Sequence, residues 1–415
     1  MGGGQRRLPG PASRSRALTR LSVLHQTGIL AHMRAADVSE SRDLTAYRGE
    51  FPIFRDSVYL NTCSLGALSD RSRREVNAYL DIWDACGASA WYDVWWDALA
   101  GLRAGYAAVV NASPTEIALH ASVSSATAVL AGLLDYTARP KVVTTNLDFP
   151  TVPYQWLAKQ AAGVEVVVVE SPDGVTVPIE MIADAVDERT ALVATSHVYF
   201  TTGAIQDIAA LVEVAHRRGA LCFVDAYQSV GQLPVDVRAL GVDALCAGGL
   251  KWLLGGPGIV FLYVRSELIP TLTPSVTGWF ANARQFAFDA SHIEWHADAR
   301  RFELGTPALA AVYAQRGGLE IVLEIGTGHL RDATANLTED LIARALGAGL
   351  TLTTAARPQE RSGIVMVRHP DPGAAVEKLR DAGIIVDARP GHVRLSPFFY
   401  NVPDDYAAAI EILAT

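Results

Sequence analysis

Cysteine is scarce in this chain: Cys63, Cys86, Cys222 and Cys246 are the four among 415 residues, widely spaced and with no CxxC pair. That excludes a disulfide scaffold and a zinc knuckle, and a reducing cytoplasm is the compartment that fits. Long apolar runs are also missing. The longest, around 166–169, is strand-sized, far short of the roughly 18 to 20 residues of a membrane helix. Positive charge is neither dominant nor clustered. The formal net charge of -9 argues against a nucleic-acid or membrane surface and leaves a small molecule as the default partner. No GxGxxG lies between the first strand and helix, so a dinucleotide-binding protein is disfavoured. His292 and His296 share a helical i, i+4 spacing, but without an HExxH pattern no metal is expected. Acidic residues are absent from the first thirty-six positions, which carry Arg6, Arg7, Arg14, Arg16, Arg20 and Arg34. Residues 1–40 are therefore set aside as a disordered arm or an over-long start, with translation beginning nearer Met33; an organelle transit peptide is the alternative.

What is present is apolar and periodic. Half of the residues are hydrophobic, enough for a large domain and a smaller one. Short strand-like runs at 117–120, 142–144, 164–169, 191–195 and 221–224 alternate with amphipathic stretches such as 208–217. Such alternation predicts an α/β fold with a mostly parallel sheet covered on both faces. Runs at 243–246 and 259–264 have no long helix between them and predict an antiparallel edge. A helix is expected over 69–83 with Val76, Tyr79 and Leu80 inward. Helices then dominate from Pro307 to Ala348, and the remainder reads as a small α+β domain. The expected division is 41–310 for the large domain, with its N-terminal segment contributing to the small one, and 311–415 for a long helix and the small C-terminal domain. Trp83, Trp91, Trp95 and Trp96 are read as core and interface packing rather than a substrate cage.

Ligands of open parallel sheets bind beyond the carboxyl ends of the strands. The residues that follow the strands here are Ser122-Val123-Ser124, Asp148-Phe149-Pro150-Thr151, Ser196-His197, Asp225 with Gln228, and Gly249-Leu250-Lys251 before Gly255-Gly256-Pro257-Gly258. Together they meet the needs of pyridoxal 5'-phosphate (PLP): a lysine amine, a carboxylate against the ring nitrogen, a seat for phosphate and a flat group on the ring. Lys251, in a chain with few lysines, is the candidate to carry the cofactor as a Schiff base, its amine pKa depressed by burial. Asp225 ends an apolar strand, where an unpaired carboxylate would be costly. It is the candidate to keep the ring nitrogen protonated. Backbone N–H groups at Ser122 and Val123, opening a helix, suit a phosphate dianion, and Phe149 can stack on the ring. His197 either caps its strand or serves near the ring. Cys63 is either an active-site wall or a buried inert thiol.

These residues resemble class V aminotransferase-like PLP enzymes, in the branch of kynureninase, cysteine desulfurases and isopenicillin N epimerase. The resemblance runs from about Phe54 to the end. It is carried by Asn61-Thr62-Cys63-Ser64-Leu65-Gly66, Phe149-Pro150-Thr151, Lys251-Trp252-Leu253-Leu254-Gly255-Gly256-Pro257-Gly258, Gly278-Trp279-Phe280, Asp387-Ala388-Arg389-Pro390 with Val393-Arg394, and the run from Ser396 to Asn401. It implies the PLP-dependent transferase fold of type I, with a large, mostly parallel seven-stranded sheet domain and a small α+β C-terminal domain. It also implies that Gln228 touches the ring oxygen, and that Trp279 and Thr306 reach the phosphate of a neighbouring subunit in a homodimer. Arg394 would clamp the substrate carboxylate beside Ser64 and Cys63, although a structural pair between Arg394 and Asp387 is the alternative.

The departures bear on the reaction. Leu250 stands where related enzymes place Tyr or His, and a phosphate-binding Ser is replaced by Gly248 or Gly249, so phosphate must be held by other groups. The histidine loop of kynureninase has no counterpart in Ala90-Trp91-Tyr92-Asp93, and no cysteine follows Cys246 to form a persulfide. The expected function is that of an enzyme acting on an L-amino acid, as a lyase cleaving a side-chain carbon–carbon or carbon–sulfur bond. A class V aminotransferase or an epimerase on the same site is the alternative, and a cofactor-free regulatory or binding relative is the remote one.

Overall fold

The computed structural model describes residues 43–415; the expectations for residues 1–40 lie outside the described residues. Strands β1 (Val58–Tyr59), β2 (Ile117–His120), β3 (Lys141–Thr145), β4 (Glu165–Val169), β5 (Thr190–Ser196), β6 (Leu221–Asp225), β7 (Ala244–Gly248) and β8 (Val260–Val264) occupy the first part of the chain. The last seven form one sheet in the order β2-β8-β7-β6-β5-β3-β4. Strands β3 to β7 run parallel, and β8 is antiparallel to both its neighbours. Strands β2, β3, β5, β7 and β8 are buried along their whole length, the expected state of a sheet covered by helices on both faces.

One expectation about the sheet is corrected. Strand β8 is not an edge: β2 pairs beyond it, from Ile117 opposite Tyr263 to His120 opposite Val260. The short link between β7 and β8 forces them antiparallel, but pairing with β2 joins segments more than a hundred residues apart, and local pattern carries no record of it.

The helix Asp70–Cys86 is capped by Ser69, whose hydroxyl accepts from the Ser72 amide, and it packs along the helix Leu309–Ile325. Val76 and Tyr79 are half-buried, as expected. Leu80 is not inward: it is 50% exposed, and Trp83 one turn on is 55% exposed. The contacts with Leu309–Ile325 use the face of Ser72 and Tyr79, and Leu80 and Trp83 lie on a face left exposed among the described residues. His292 and His296 likewise do not share a helix; their segment is extended, with Asn282 bridged to Trp295.

Helices Leu309–Ile325 and Thr327–Gly347 lead from the large sheet to a second, antiparallel one. It is built from β9 (Leu352–Thr353), β10 (Val365–Arg368), β12 (Asp387–Arg389) and β13 (His392–Leu395), in the order β12-β13-β10-β9. Strand β11 (Ile384–Ile385) pairs in parallel with β1, and Asn61 bridges to Ser396. These pairings carry loop 61–66 to the end of β7, where the Gly66 amide donates to the Leu250 carbonyl at 2.7 Å. A side chain at Gly66 would put its Cβ 2.4 Å from the Lys251 carbonyl, so glycine is required by the close approach of two backbones. Among the described residues no helix is long and apolar enough to cross a membrane, and all four cysteines are unpaired.

Candidate active site

The parallel strands end together, and their last residues build one site. Asp225 closes β6, buried, with Oδ1 accepting from the Tyr227 amide at 2.9 Å. Burial pushes its carboxyl up from 3.8 to about 6, against the pull of that amide and of Lys251. Lys251 follows β7. Burial brings its amine down to about 8, while the Cys63 thiol and Asp225 oppose the shift and Arg394 and Arg389 add to it. The Lys251 Nζ lies 4.6 Å from the centre of the Tyr227 ring and 5.9 Å from that of Phe149. Burial, opposed by the facing carboxylate, brings the amine close enough to physiological pH that both its charged and its neutral form are populated there.

The supporting groups are fixed one by one. Asp148, after β3, accepts from the hydroxyls of Thr144, Thr145 and Thr195 and from the amides of Thr145 and Ser196, at 2.6 to 2.9 Å. It ties the ends of β3 and β5 together and sets Phe149 at the rim, where the ring is 44% exposed and meets Phe200 edge-on at 5.1 Å. His197 joins β5 to β6 through its amide, which donates to the Asp225 carbonyl at 2.9 Å. Burial lowers its imidazole to about 4, so it is neutral at physiological pH, and its Nδ1 has no hydrogen-bond partner among the described residues. Ser122 caps the helix Val123–Ala131, its hydroxyl taking the Ser125 amide, while the Ser124 and Thr151 hydroxyls meet at 3.1 Å. Gln228 is engaged on both sides of its amide: Nε2 donates to the Cys63 carbonyl at 3.0 Å and Oε1 accepts from Trp252 at 2.9 Å. It holds loop 61–66 in place, a role not read from the sequence.

Opposite this cluster, the small sheet presents Arg394, which is 1% exposed. Its Nε and one Nη bind Asp387 at 3.0 and 2.7 Å, the same Nη meets the Ser64 hydroxyl at 2.6 Å, and the other Nη donates to the Phe200 carbonyl at 3.1 Å. The structural pair with Asp387 is thus present. Ser64 also donates to Asp387 at 2.5 Å, and Arg389 lies 3.2 Å from the same carboxylate. Two guanidiniums share one carboxylate, so one positive charge is left over, and both arginines act on the charge of Lys251. Buried Cys63 is close enough to bear on the charge of Lys251, Arg389 and Arg394. Trp279 and Thr306 do not join this cluster. The Trp279 ring packs on Phe280 and Phe286, and Thr306 lines an open cleft of about 550 Å³ with Tyr79, Trp83, Trp91 and Trp95.

Sequence reasoning missed Tyr227 and Phe200, each of which touches a predicted site residue. The signal for Tyr227 was its place between Asp225 and Gln228; Phe200 follows Ser196-His197 too loosely for any spacing to mark it. The residues fit PLP on the structure's own terms: an amine of lowered basicity, a buried carboxylate with an oxygen beyond its amide contact, rings beside the amine, and a capped helix start beyond β2.

A seven-stranded, mostly parallel sheet with this cluster at its carboxyl ends is the large domain of the type I PLP-dependent transferase fold. The aminotransferase class-V family model matches residues 76–402, and the chain belongs to that family of PLP-dependent enzymes. It is 36% identical over 371 residues to the uncharacterized aminotransferase YcbU of Bacillus subtilis, covering 89% of this chain and 96% of that protein. It is 29% identical over 383 residues to a kynureninase of Geobacillus thermodenitrificans, covering 88% and 89%. In three dimensions it matches the cystine C–S lyase C-DES in complex with cysteine persulfide, with a TM-score of 0.81 over 88% of this chain and 99% of the other. Identity there is 22%, so that likeness speaks to the fold alone. A variant of the same lyase carries glycine covalently linked to its PLP cofactor.

The raised pKa of Asp225 makes a stability prediction. The folded chain binds this proton more tightly than the unfolded one, so the group's contribution falls as pH rises from about 4 through 6. Above that window the buried carboxylate costs about 3 kcal/mol. In cofactor-free protein, Asp225→Asn is expected to raise the urea-unfolding free energy at pH 7.5 by up to that amount and to leave it unchanged at pH 4. A variant less stable than the parent at pH 7.5 would mean that the attraction of Lys251 outweighs desolvation.

Proposed function

We propose that this enzyme binds PLP through Lys251 and acts on an L-amino acid as a lyase, cleaving a side-chain carbon–carbon or carbon–sulfur bond. The observation that carries the reading is the Lys251 amine, lowered to about 8 and set between the Tyr227 and Phe149 rings opposite Asp225. Bound at this site, the pyridoxal ring supplies an electron sink for the bond broken at the substrate's α carbon. Asp225 stabilises a cation at the ring nitrogen by its charge. The Val123–Ala131 helix start and Ser122 receive the phosphate. Lys251 Nζ, close to neutrality in the physiological range, takes and returns a proton. The unbalanced charge of Arg389 and Arg394 against Asp387 attracts the substrate carboxylate and fixes the α carbon, and orientation decides which bond breaks. Asp387 and Ser64 hold the Arg394 plane in place, so the clamp is set before substrate arrives.

An aminotransferase is the second reading, favoured by the name of the Bacillus subtilis relative. A panel of amino acids and sulfur conjugates separates the two. A lyase releases ammonia, sulfide or a side-chain product without a co-substrate. An aminotransferase needs a 2-oxo acid and releases no ammonia, whereas an epimerase exchanges the α hydrogen and inverts the centre with no net product. A purified protein that PLP does not colour would overturn all three.

Lys251→Ala is expected to abolish both the visible absorbance of bound cofactor and turnover, since no other lysine follows a strand end in the described site. Retained turnover would remove Lys251 from the reaction.

The substrate clamp is tested by kinetics. Loss of a charge-assisted pair is worth on the order of 2 to 4 kcal/mol, so Arg394→Ala should raise KM roughly 30-fold to 1000-fold, with PLP affinity much less affected. Arg394→Lys should recover little, because an ammonium cannot hold Asp387 and the substrate in one plane. If KM is unchanged, the carboxylate is held at Arg389 instead.

The exposed rings of Trp83, Tyr92, Trp279, Phe286 and Phe288 and the cleft at Thr306 support a homodimer with shared sites. Sedimentation should give twice the chain mass. Mixing Lys251→Ala with Trp279→Ala chains should restore part of the activity that each lacks. An active monomer would refute the shared site.

A further inference from the structure

The end of β7 lacks a hydroxyl. Gly248 and Gly249 stand there without side chains, although the strand ends beneath the helix Val123–Ala131, which crosses β7 and β8. Each glycine has a physical cause. A Cβ at Gly249 would fall 1.6 Å from the side-chain oxygen of Gln315, and one at Gly248 would fall 2.1 Å from Cε2 and 2.8 Å from Cζ of Tyr227. The Tyr227 ring therefore fills the space into which a side chain at 248 would point. Cζ carries the hydroxyl, so the phenolic oxygen lies one bond beyond that space. The ring packs on the same apolar cluster as Val123, the first residue of the helix, while its face lies 4.6 Å from Lys251 Nζ. Burial and the Asp225 carboxylate hold the phenol far above its ordinary pKa, so it is a permanent donor.

We propose that Tyr227 is a cofactor-anchoring residue: its ring forms the sheet-side wall beneath Lys251, and its hydroxyl donates to the phosphate of PLP from the seat that glycine at 248 leaves open. The proposal rests on the reading of the site as a PLP site. It makes Gly248 and Tyr227 one unit. A small residue at 227 would remove the nearest obstacle to a hydroxyl-bearing side chain at 248, leaving the Val260 methyl at 2.8 Å to shift, and a tyrosine at 227 forbids one. The phosphate then meets N–H groups of the helix start on one side and a phenol on the other, two neutral donor sets that favour a dianion without a lysine or arginine.

The test compares two ligands that differ only in phosphate. PLP and pyridoxal are titrated, by absorbance, against cofactor-free protein of the parent and of Tyr227→Phe, which keeps the ring and removes the donor. Loss of a hydrogen bond to a charged acceptor predicts a PLP dissociation constant raised about 10-fold to 100-fold. Pyridoxal affinity is expected to be unchanged. Equal weakening of both ligands, or of neither, would overturn the anchoring role. The shared seat is tested with a second pair: Tyr227→Ala should lose the preference for PLP over pyridoxal, and the double variant Tyr227→Ala/Gly248→Ser should regain at least about tenfold of it. A double variant no better than Tyr227→Ala would refute the exchange. Failure of the parent protein to bind either ligand would sink the PLP reading itself, an outcome distinct from both.

Discussion

Burying a carboxylate and an amine together at the end of a parallel sheet is the constraint on which this structure turns. Asp225 and Lys251 follow adjacent strands, and each is shifted toward its neutral form by loss of water, to about 6 and about 8. Neither group would be tolerated there alone. A ring cation between them would relieve the carboxylate and consume the amine, so the same desolvation that strains the cofactor-free site would favour cofactor capture. The surroundings are built to keep this place dry and narrow. Gly66 allows loop 61–66 to lie against the Lys251 backbone, Gln228 fastens that loop, and Asp148 locks the ends of β3 and β5 with five hydrogen bonds.

The second half of the site comes from the other sheet. Arg394 reaches across to the Phe200 carbonyl, while Phe200 meets Phe149 and Phe149 faces Lys251. The Arg394 guanidinium and the Phe149 ring are therefore joined through one residue, Phe200. Asp387 keeps Arg394 from collapsing onto other acceptors, at the cost of sharing its charge. With Arg389 beside them the balance remains positive, the sign that an amino-acid carboxylate requires.

The relatives narrow the chemistry without fixing it. The chain is similar to a kynureninase and shares its fold with a C–S lyase, whereas the Bacillus subtilis relative is named as an aminotransferase. In such enzymes the reaction is chosen by orientation at the α carbon and by who holds the proton. Under the proposed reading those choices would fall to Arg394, Arg389 and Lys251, with Tyr227 as the wall beside the amine.

Much of this was legible in the sequence, because period and punctuation are local. Alternating apolar runs gave the strands within a residue or two, and the residues just after them, Ser122, Phe149, His197, Asp225 and Lys251, are the ones the fold assembles. A parallel sheet aligns its carboxyl ends by construction, so no distant contact had to be known to foresee that meeting. What the tertiary structure decided was everything set by long-range pairing or by side-chain volume. The pairing of β2 with β8 spans the domain. Leu80 and Trp83 follow the apolar period of a buried face, yet the packing partner turned that face outward. The Arg394 fork is filled by Asp387 because β12 and β13 run antiparallel in a particular register. Glycine at 248 is explained by the Tyr227 ring, which occupies the space of its missing side chain. Spacing along the chain fixes which residues end a strand; only packing in three dimensions fixes which of them can share one volume.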